Sequence, residues 1–385
     1  MNPNAVKAMK AQIIEWLDSI ILPDEQGLGE GWDQPTDKLI NSVYKSKCKW
    51  LSEPLINTVL LDSLHEFIPN LLSREGGGIS NRVNLDEAAE YILNVIVGIP
   101  YEYKVFFEIG LERASYDFTF GAGDHIAFGI YDEEFIKIDD KWAPCNGKKS
   151  FYSVIVNGYI PRKNNTAVSD AVYIAQSWLK FFIERGLSLG ILNKRTYYFG
   201  HNIIKPLMYI HQLSQDGSVK DRYAIKLPQD LGSFLNAIGD GFIKLDRKSG
   251  CESLLKTFID VVNMNNNIDT NKIVAASGWR FDSLADPSDA MSLVKICIGL
   301  ESIYGDTNAE VGLTKTLADR CAYSLSKNLK DREEIIDKCK KLYNLRSKIV
   351  HGVKNRLTDK DYDLLKYGDN LLRRAIFNES NLLIS

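Results

Sequence analysis

Most of the short signatures that announce a chemistry are missing from this chain of 385 residues. No stretch approaches the roughly 18 consecutive apolar residues that a membrane helix needs. The first apolar run, Ile13 to Ile21, is interrupted by Glu15 and Asp18 and so makes no signal peptide. A cytoplasmic protein without a membrane partner is expected. The six cysteines, Cys48, Cys145, Cys251, Cys297, Cys321 and Cys339, include no C-x-x-C pair. This speaks against a zinc ribbon or a disulfide framework and for thiols that are mostly buried. Gly76-Gly77-Gly78 lacks the Gly-Lys-Ser/Thr ending of a phosphate-binding loop and reads as a flexible turn. Neither H-E-x-x-H nor G-x-G-x-x-G occurs. Histidine is scarce, at five residues, and His125, His201 and His211 have no partner at metal-ligand spacing.

What is present is an ordinary globular composition, 45% hydrophobic and 25% charged, with a net charge of −3. That balance excludes a wholesale nucleic-acid coat but hides an uneven distribution, because basic residues outnumber acidic ones between Lys327 and Arg356. The excess is either a solvated helix face or a phosphate-attracting patch.

Hydrophobic periodicity divides the chain into three regions: helices over 1–98, a β-containing stretch with a covering helix over 99–265, and an all-α bundle over 266–385. Helices are expected over 5–21, 37–67 and 84–97. From Tyr101 the period changes to alternation, with Tyr103, Val105, Phe107 and Ile109 on one face. Further strands are expected at 118–120, 125–130, 135–138 and 151–158, forming an antiparallel sheet. Ser169 or Asp170 caps a helix that Gly186 stops and that covers the sheet. The stretch 190–248 yields no assignment. The fold class is α+β with an all-α C-terminal bundle. In that bundle, helices are expected from Asp286 or Ser288, from about Ala309, from Asp331 with Glu334 and from Thr358 with Asp361.

In the third of these bundle helices Ile335, Cys339, Leu342, Ile349 and Val353 keep a three-four rhythm, and Arg346 falls where another Leu belongs. An unpaired guanidinium on such a seam costs several kcal/mol, so Arg346 must meet a carboxylate, a subunit boundary or a phosphate-bearing ligand. Glu301 is the nominated carboxylate. His351 stands five residues on, roughly 140° round at about 100° per residue, so one helix does not aim both side chains at one point. Either the helix frays at Gly352 or a second subunit closes the gap.

The run Leu342-Tyr343-Asn344-Leu345-Arg346-Ser347-Lys348-Ile349-Val350-His351-Gly352, with Gly299-Leu300-Glu301 upstream, resembles the R-x(4–6)-H signature of the HEPN superfamily, and its Apea-like branch most closely. The resemblance spans about residues 283–377. It implies a HEPN-like bundle acting as a metal-independent endoribonuclease, of the kind found in bacterial toxins and anti-phage defence by abortive infection. Its site forms where two bundles pair. It also implies RNA as substrate, a homodimer or higher oligomer, and no cofactor.

On this reading Arg346 holds the scissile phosphate and His351 moves the proton, leaving a 2′,3′-cyclic phosphate. Ser347 and Glu301 support them, and Lys341, Lys348, Lys354 and Arg356 hold RNA phosphates. Ser347 departs from the Asn, Asp or His that many relatives carry after the arginine. Tyr343 either lines the cleft, stacking on a base, or packs in the core. Residues 1–265 would sense a phage-derived or nucleic-acid trigger. Two rival readings stand beside this one. The bundle is a non-catalytic module for dimerisation or for nucleotide or RNA binding, or an activity resides in the β-containing half.

Overall fold

The computed structural model describes residues 2–22, 31, 35–68, 77–110, 120–122, 126–132, 148–162, 169–195, 204–240, 260–261, 268–305 and 313–384. The helices are α1 (Pro3–Asp18), α2 (Asp37–Lys47), α3 (Glu53–Phe67), α4 (Leu85–Gly98), α5 (Asp170–Ser188), α6 (Gln229–Asn236), α7 (Ile268–Ala285), α8 (Asp289–Tyr304), α9 (Leu313–Leu325), α10 (Leu329–Val350) and α11 (Asp359–Ile384). The strands are β1 (Ile21–Leu22), β2 (Gly77–Gly78), β3 (Tyr101–Ile109), β4 (Phe120–Ala122), β5 (Ile126–Asp132), β6 (Lys148–Gly158), β7 (Leu192–Lys194), β8 (Leu207–Leu213), β9 (Val219–Lys226) and β10 (Ile238–Asp240). The fold is mixed α and β. No helix among the described residues is long and apolar enough to cross a membrane.

Six strands form one sheet in the order β4-β5-β6-β3-β8-β9, and β1-β2 and β10-β7 form two-stranded sheets. The β4–β5 and β5–β6 pairs are antiparallel, with Phe120 opposite Phe128 and Ile126 opposite Val154. The strands expected at 135–138 and the first part of that at 118–120 lie outside the described residues.

The chain forms two compact units. One comprises Met1–Val105, Ile155–Ala175 and Tyr209–Lys226, and the other Phe106–Val154, Gln176–Met208 and Leu227–Ser385. They differ from three consecutive regions with boundaries at 98/99 and 265/266, because β3, β6, β8 and α5 each contribute residues to both units.

In the first unit, Met9, Ile13, Trp16 and Leu17 recur at helical spacing along α1 and are buried with Leu39, Val43, Leu60 and Ile92 in one core. The helix expected over 37–67 is two helices. Pro54 cannot continue a helix, since its ring clashes with the carbonyl four residues earlier, but it fits the first turn of α3.

In the second unit Phe182 of α5 stacks on Tyr152 of β6, with ring centroids 4.6 Å apart, so the helix does cover its sheet. Gly186 does not stop it. A Cβ there would come within 2.6 Å of Leu192, so this glycine permits close packing. The helix ends instead at Gly190, whose φ of 72° lets its N–H reach the Leu187 carbonyl while that of Ile191 reaches Gly186, a Schellman ending. Five helices, α7 to α11, make the C-terminal bundle, one more than the four expected as a minimum. Its caps follow side-chain chemistry: Ser288 accepts from Met291 N–H. Thr358 N–H donates to Asp361.

Candidate functional site

The helix carrying the arginine–histidine motif starts at Asn328, three residues before the expected Asp331. Asn328 accepts from the Asp331 N–H at 2.8 Å and donates back to the Asp331 carboxylate at 2.6 Å, a reciprocal cap with the acid at the third helical position. Ile335, Cys339, Leu342, Tyr343 and Leu345 are then buried along α10. Val353 is not on that seam. It lies past the end of the helix and is 75% exposed.

Tyr343 is buried, and its hydroxyl donates to the Cys297 carbonyl on α8 at 3.0 Å. Burial pushes the phenol well above its usual range. One turn further along α8 is Glu301. Arg346 Nη1 lies 3.6 Å from Glu301 Oε1, with the two side chains 32% and 21% exposed. That separation is beyond hydrogen-bond range, and Arg346 Nε and Glu301 Oε1 are both buried without a hydrogen-bond partner. Burial raises the Glu301 carboxyl above its ordinary value, opposed by the Arg346 charge and by Tyr343. An unmade hydrogen bond of this kind costs about 1–3 kcal/mol. The pair is close, dry on one side and under-satisfied.

His351 is the C-cap of α10. Its N–H donates to the Ser347 carbonyl, Gly352 N–H to Ile349 and Val353 N–H to Lys348. Gly352, at φ 71°, supplies the left-handed residue that this Schellman ending needs. The helix therefore stops abruptly, and the imidazole stands exposed with no side-chain partner among the described residues. No side-chain hydrogen bond joins it to Arg346, which is half-buried and faces Glu301.

Comparison with protein-family models, curated proteins and solved structures finds no match to this chain. The site is therefore weighed on its residues.

Arg346, Glu301 and Tyr343 come together; His351 and Ser347 lie exposed beside them on α10 and its cap. Of the four basic candidates, Lys341 pairs with Asp337 at 2.6 Å and Lys354 with Asp361. Burial works against ionisation of Asp361, but the bonds from Lys354 and Thr358 outweigh it and hold the carboxyl at about 2. Lys348 and Arg356 are exposed and unpaired among the described residues. Also among the described residues, no group of three or more His, Cys, Asp or Glu is placed to hold a metal ion.

Two further features bear on function, one with a sequence signal and one without. Gly186-Leu187-Ser188-Leu189-Gly190 has the spacing of a nucleophile elbow, a motif that needs a strand-to-helix turn. Ser188 instead sits in the last turn of α5, bonded to Glu184 at 2.6 Å and to Arg280 at 2.9 Å, so it is structural. The second is the network around it. Arg280 binds Glu184 at 2.8 Å and forks onto both oxygens of Asp369, while Arg185 binds Glu184 at 2.6 Å. Glu184, Arg280 and Asp369 are distant in sequence, and the packing of α7 against α5 and α11 makes them neighbours.

Proposed function

We propose that the C-terminal bundle is a metal-independent endoribonuclease, of the toxin or anti-phage defence type, whose site is completed when two copies pair. The observation that carries this reading is the under-satisfied Arg346, with an exposed His351 five residues on at a sharply terminated helix end. An arginine tied into the fold, as Arg280 is, has its donors matched. Here Nε has no partner and Nη1 has only Glu301 at 3.6 Å, leaving donors for a phosphate.

In the reaction, the ribose 2′-OH attacks the adjacent phosphorus and the bond to the 5′-oxygen breaks. His351 takes the 2′-OH proton or returns one to the leaving oxygen, and Arg346 stabilises the charge gathering on the phosphoryl oxygens. The products are a 2′,3′-cyclic phosphate and a 5′-hydroxyl. Lys348 and Arg356, unpaired near the helix end, suit the RNA backbone. Val350 and Val353, 59% and 75% exposed, flank His351 with apolar surface of the kind a second copy would cover. Pairing also answers the divergent directions of Arg346 and His351 in one chain.

The test is cleavage of labelled RNA by the parent, by Arg346→Ala and by His351→Ala, singly and mixed. Each variant alone should be inactive, and mixed dimers, which bring one intact arginine to one intact histidine, should recover part of the activity. If both single variants cut as well as the parent, the reading fails. A specific observation favours the rival, a non-catalytic bundle: no side-chain hydrogen bond joins Arg346 to His351 among the described residues, and Glu301 is already beside the guanidinium. In that case Arg346→Ala destabilises the fold and His351→Ala changes nothing.

A further inference from the structure

A cavity of about 240 Å³ opens in the first unit, lined by five tyrosines, Tyr91, Tyr101, Tyr103, Tyr159 and Tyr223. Their hydroxyls are engaged by the protein itself: Tyr91 donates to Glu66, Tyr101 to the Val95 carbonyl, Tyr159 to Asp62 and Tyr223 to the Ile160 carbonyl, while Tyr103 accepts from the Ile160 N–H. These bonds fix the rings, and what remains for a ligand is their faces and edges. Gln212 differs from the tyrosines. It is 7% exposed and lines the same cavity, yet its amide has no hydrogen-bond partner among the described residues. An amide left unmatched by the protein beside fixed aromatic rings asks for a ligand with both a flat ring and a polar edge.

The charges at the wall narrow the class. Aromatic cages with a carboxylate can hold cations, but here Arg162 and Lys220 both line the cavity. The Glu66 carboxylate is already taken by Tyr91 and Arg162. A cation is disfavoured there. Arg162 also pairs with Asp221 at 2.6 Å through Nη2 and lies over the Tyr223 ring at 5.4 Å, which leaves Nη1 without a partner among the described residues. Lys220 is exposed over the Tyr101 ring at 5.8 Å. Both offer N–H donors at the rim.

We propose that this cavity binds a free mononucleotide, its base against the tyrosines and Gln212 and its phosphate at Lys220 and Arg162. An amide side chain offers one donor and one acceptor in a plane, the pattern that pairs with the edge of a nucleobase. Stacking on tyrosine is open to any base. The size of the cavity suits one base with its sugar and not a strand. This inference concerns the first unit alone and does not rest on RNA cleavage by the bundle, so either can fail without the other.

The test is calorimetric titration of the full chain with the four nucleoside 5′-monophosphates, the matching nucleosides, inorganic phosphate and a short single-stranded RNA. At least one monophosphate should bind at one site per chain, with its nucleoside binding more weakly and phosphate alone not at all. Gln212→Leu should weaken the monophosphate about ten- to a hundredfold, the effect of removing both hydrogen bonds to a buried edge. Lys220→Ala should weaken the monophosphate about three- to tenfold and leave the nucleoside unchanged. Should Gln212→Leu fail to fold, Lys220→Ala at the exposed rim decides through that contrast. No binding by any monophosphate, equal binding by phosphate alone, unchanged affinity in a folded Gln212→Leu, or binding of the RNA strand without the mononucleotide would each overturn the proposal.

Discussion

Arg280 and Arg346 lie in the same helical bundle, and their surroundings differ in one respect. Arg280, 5% exposed, has donors matched on every side: Glu184 and Ser188 at 2.8 and 2.9 Å, and Asp369 across both Nε and Nη2 at 2.8 and 3.1 Å. Arg346 has a single carboxylate at 3.6 Å and an Nε with no partner. Desolvation disfavours the Arg280 guanidinium. Close, well-directed bonds offset it there. The difference separates an arginine that ties helices together from one whose Nε the described residues leave unmatched.

The widest gap between the two should appear in stability. Arg280→Met should lower the unfolding free energy by about 3 kcal/mol, because it leaves the buried Glu184 with Arg185 alone and takes the partner from Asp369; denaturant titration measures this. Arg346→Ala should cost no more than about 1 kcal/mol in the same titration, since the bond it loses was never properly made. Equal losses at the two sites would erase the comparison. His351→Ala should reduce RNA cleavage by about 10²–10⁴-fold, the usual contribution of a proton-transfer group, with less than about 0.5 kcal/mol change in stability for an exposed side chain.

Acid should sharpen the contrast, because the carboxylates facing the two arginines shift in opposite directions. Burial raises the Glu184 carboxyl, but Arg185 and Arg280 outweigh it and the net shift is downward. Its stabilisation is therefore fully present above the ordinary glutamate value of about 4.3 and is lost as pH falls through the lowered value. Glu301 is shifted upward by burial, so its ionised form costs stability at neutral pH and protonation relieves that cost. Glu301→Gln should thus differ from the parent by less than about 1 kcal/mol at pH 7, a figure reduced by its partial exposure. The difference should vanish as the parent carboxyl protonates. A Glu301→Gln effect that grows in acid would contradict this sign. The smallest effects belong to the surface charges. Lys348→Ala and Arg356→Ala should each weaken RNA binding about two- to fivefold at low salt and flatten its salt dependence, as loss of one phosphate contact does. Lys341→Ala, whose ammonium is already paired with Asp337, should do less.

Much of this bundle is legible in the sequence because its signals are local. Ser288 and Thr358 cap helices where side-chain oxygens stand before apolar periodicity, and the three-four rhythm of Ile335, Cys339 and Leu342 marks the buried stripe. Arg346 is conspicuous because it breaks that rhythm. What the sequence hides is non-local. Gly186 carries the same local signal as Gly190, and only the position of Leu192 shows which ends the helix and which admits a neighbour. Arg280 sits between Ser277 and Phe281 with nothing nearby to hint at Glu184 or Asp369. In the first unit, Gln212 reads as one polar residue in a strand, and its significance comes from tyrosines on α4, β3, β9 and the segment after β6. Strand pairing assembled that cavity, and no spacing in the sequence encodes it.

The central claim is that Arg346 and His351 form a catalytic pair and not a structural one. Its most direct measurement is the amount of 2′,3′-cyclic phosphate released from a labelled RNA, in the presence of a metal chelator, by the parent and by folded His351→Ala. The account predicts cyclic phosphate from the parent and none above background from the variant. Equal release by both, or none from a dimeric parent across a range of RNAs, would contradict it.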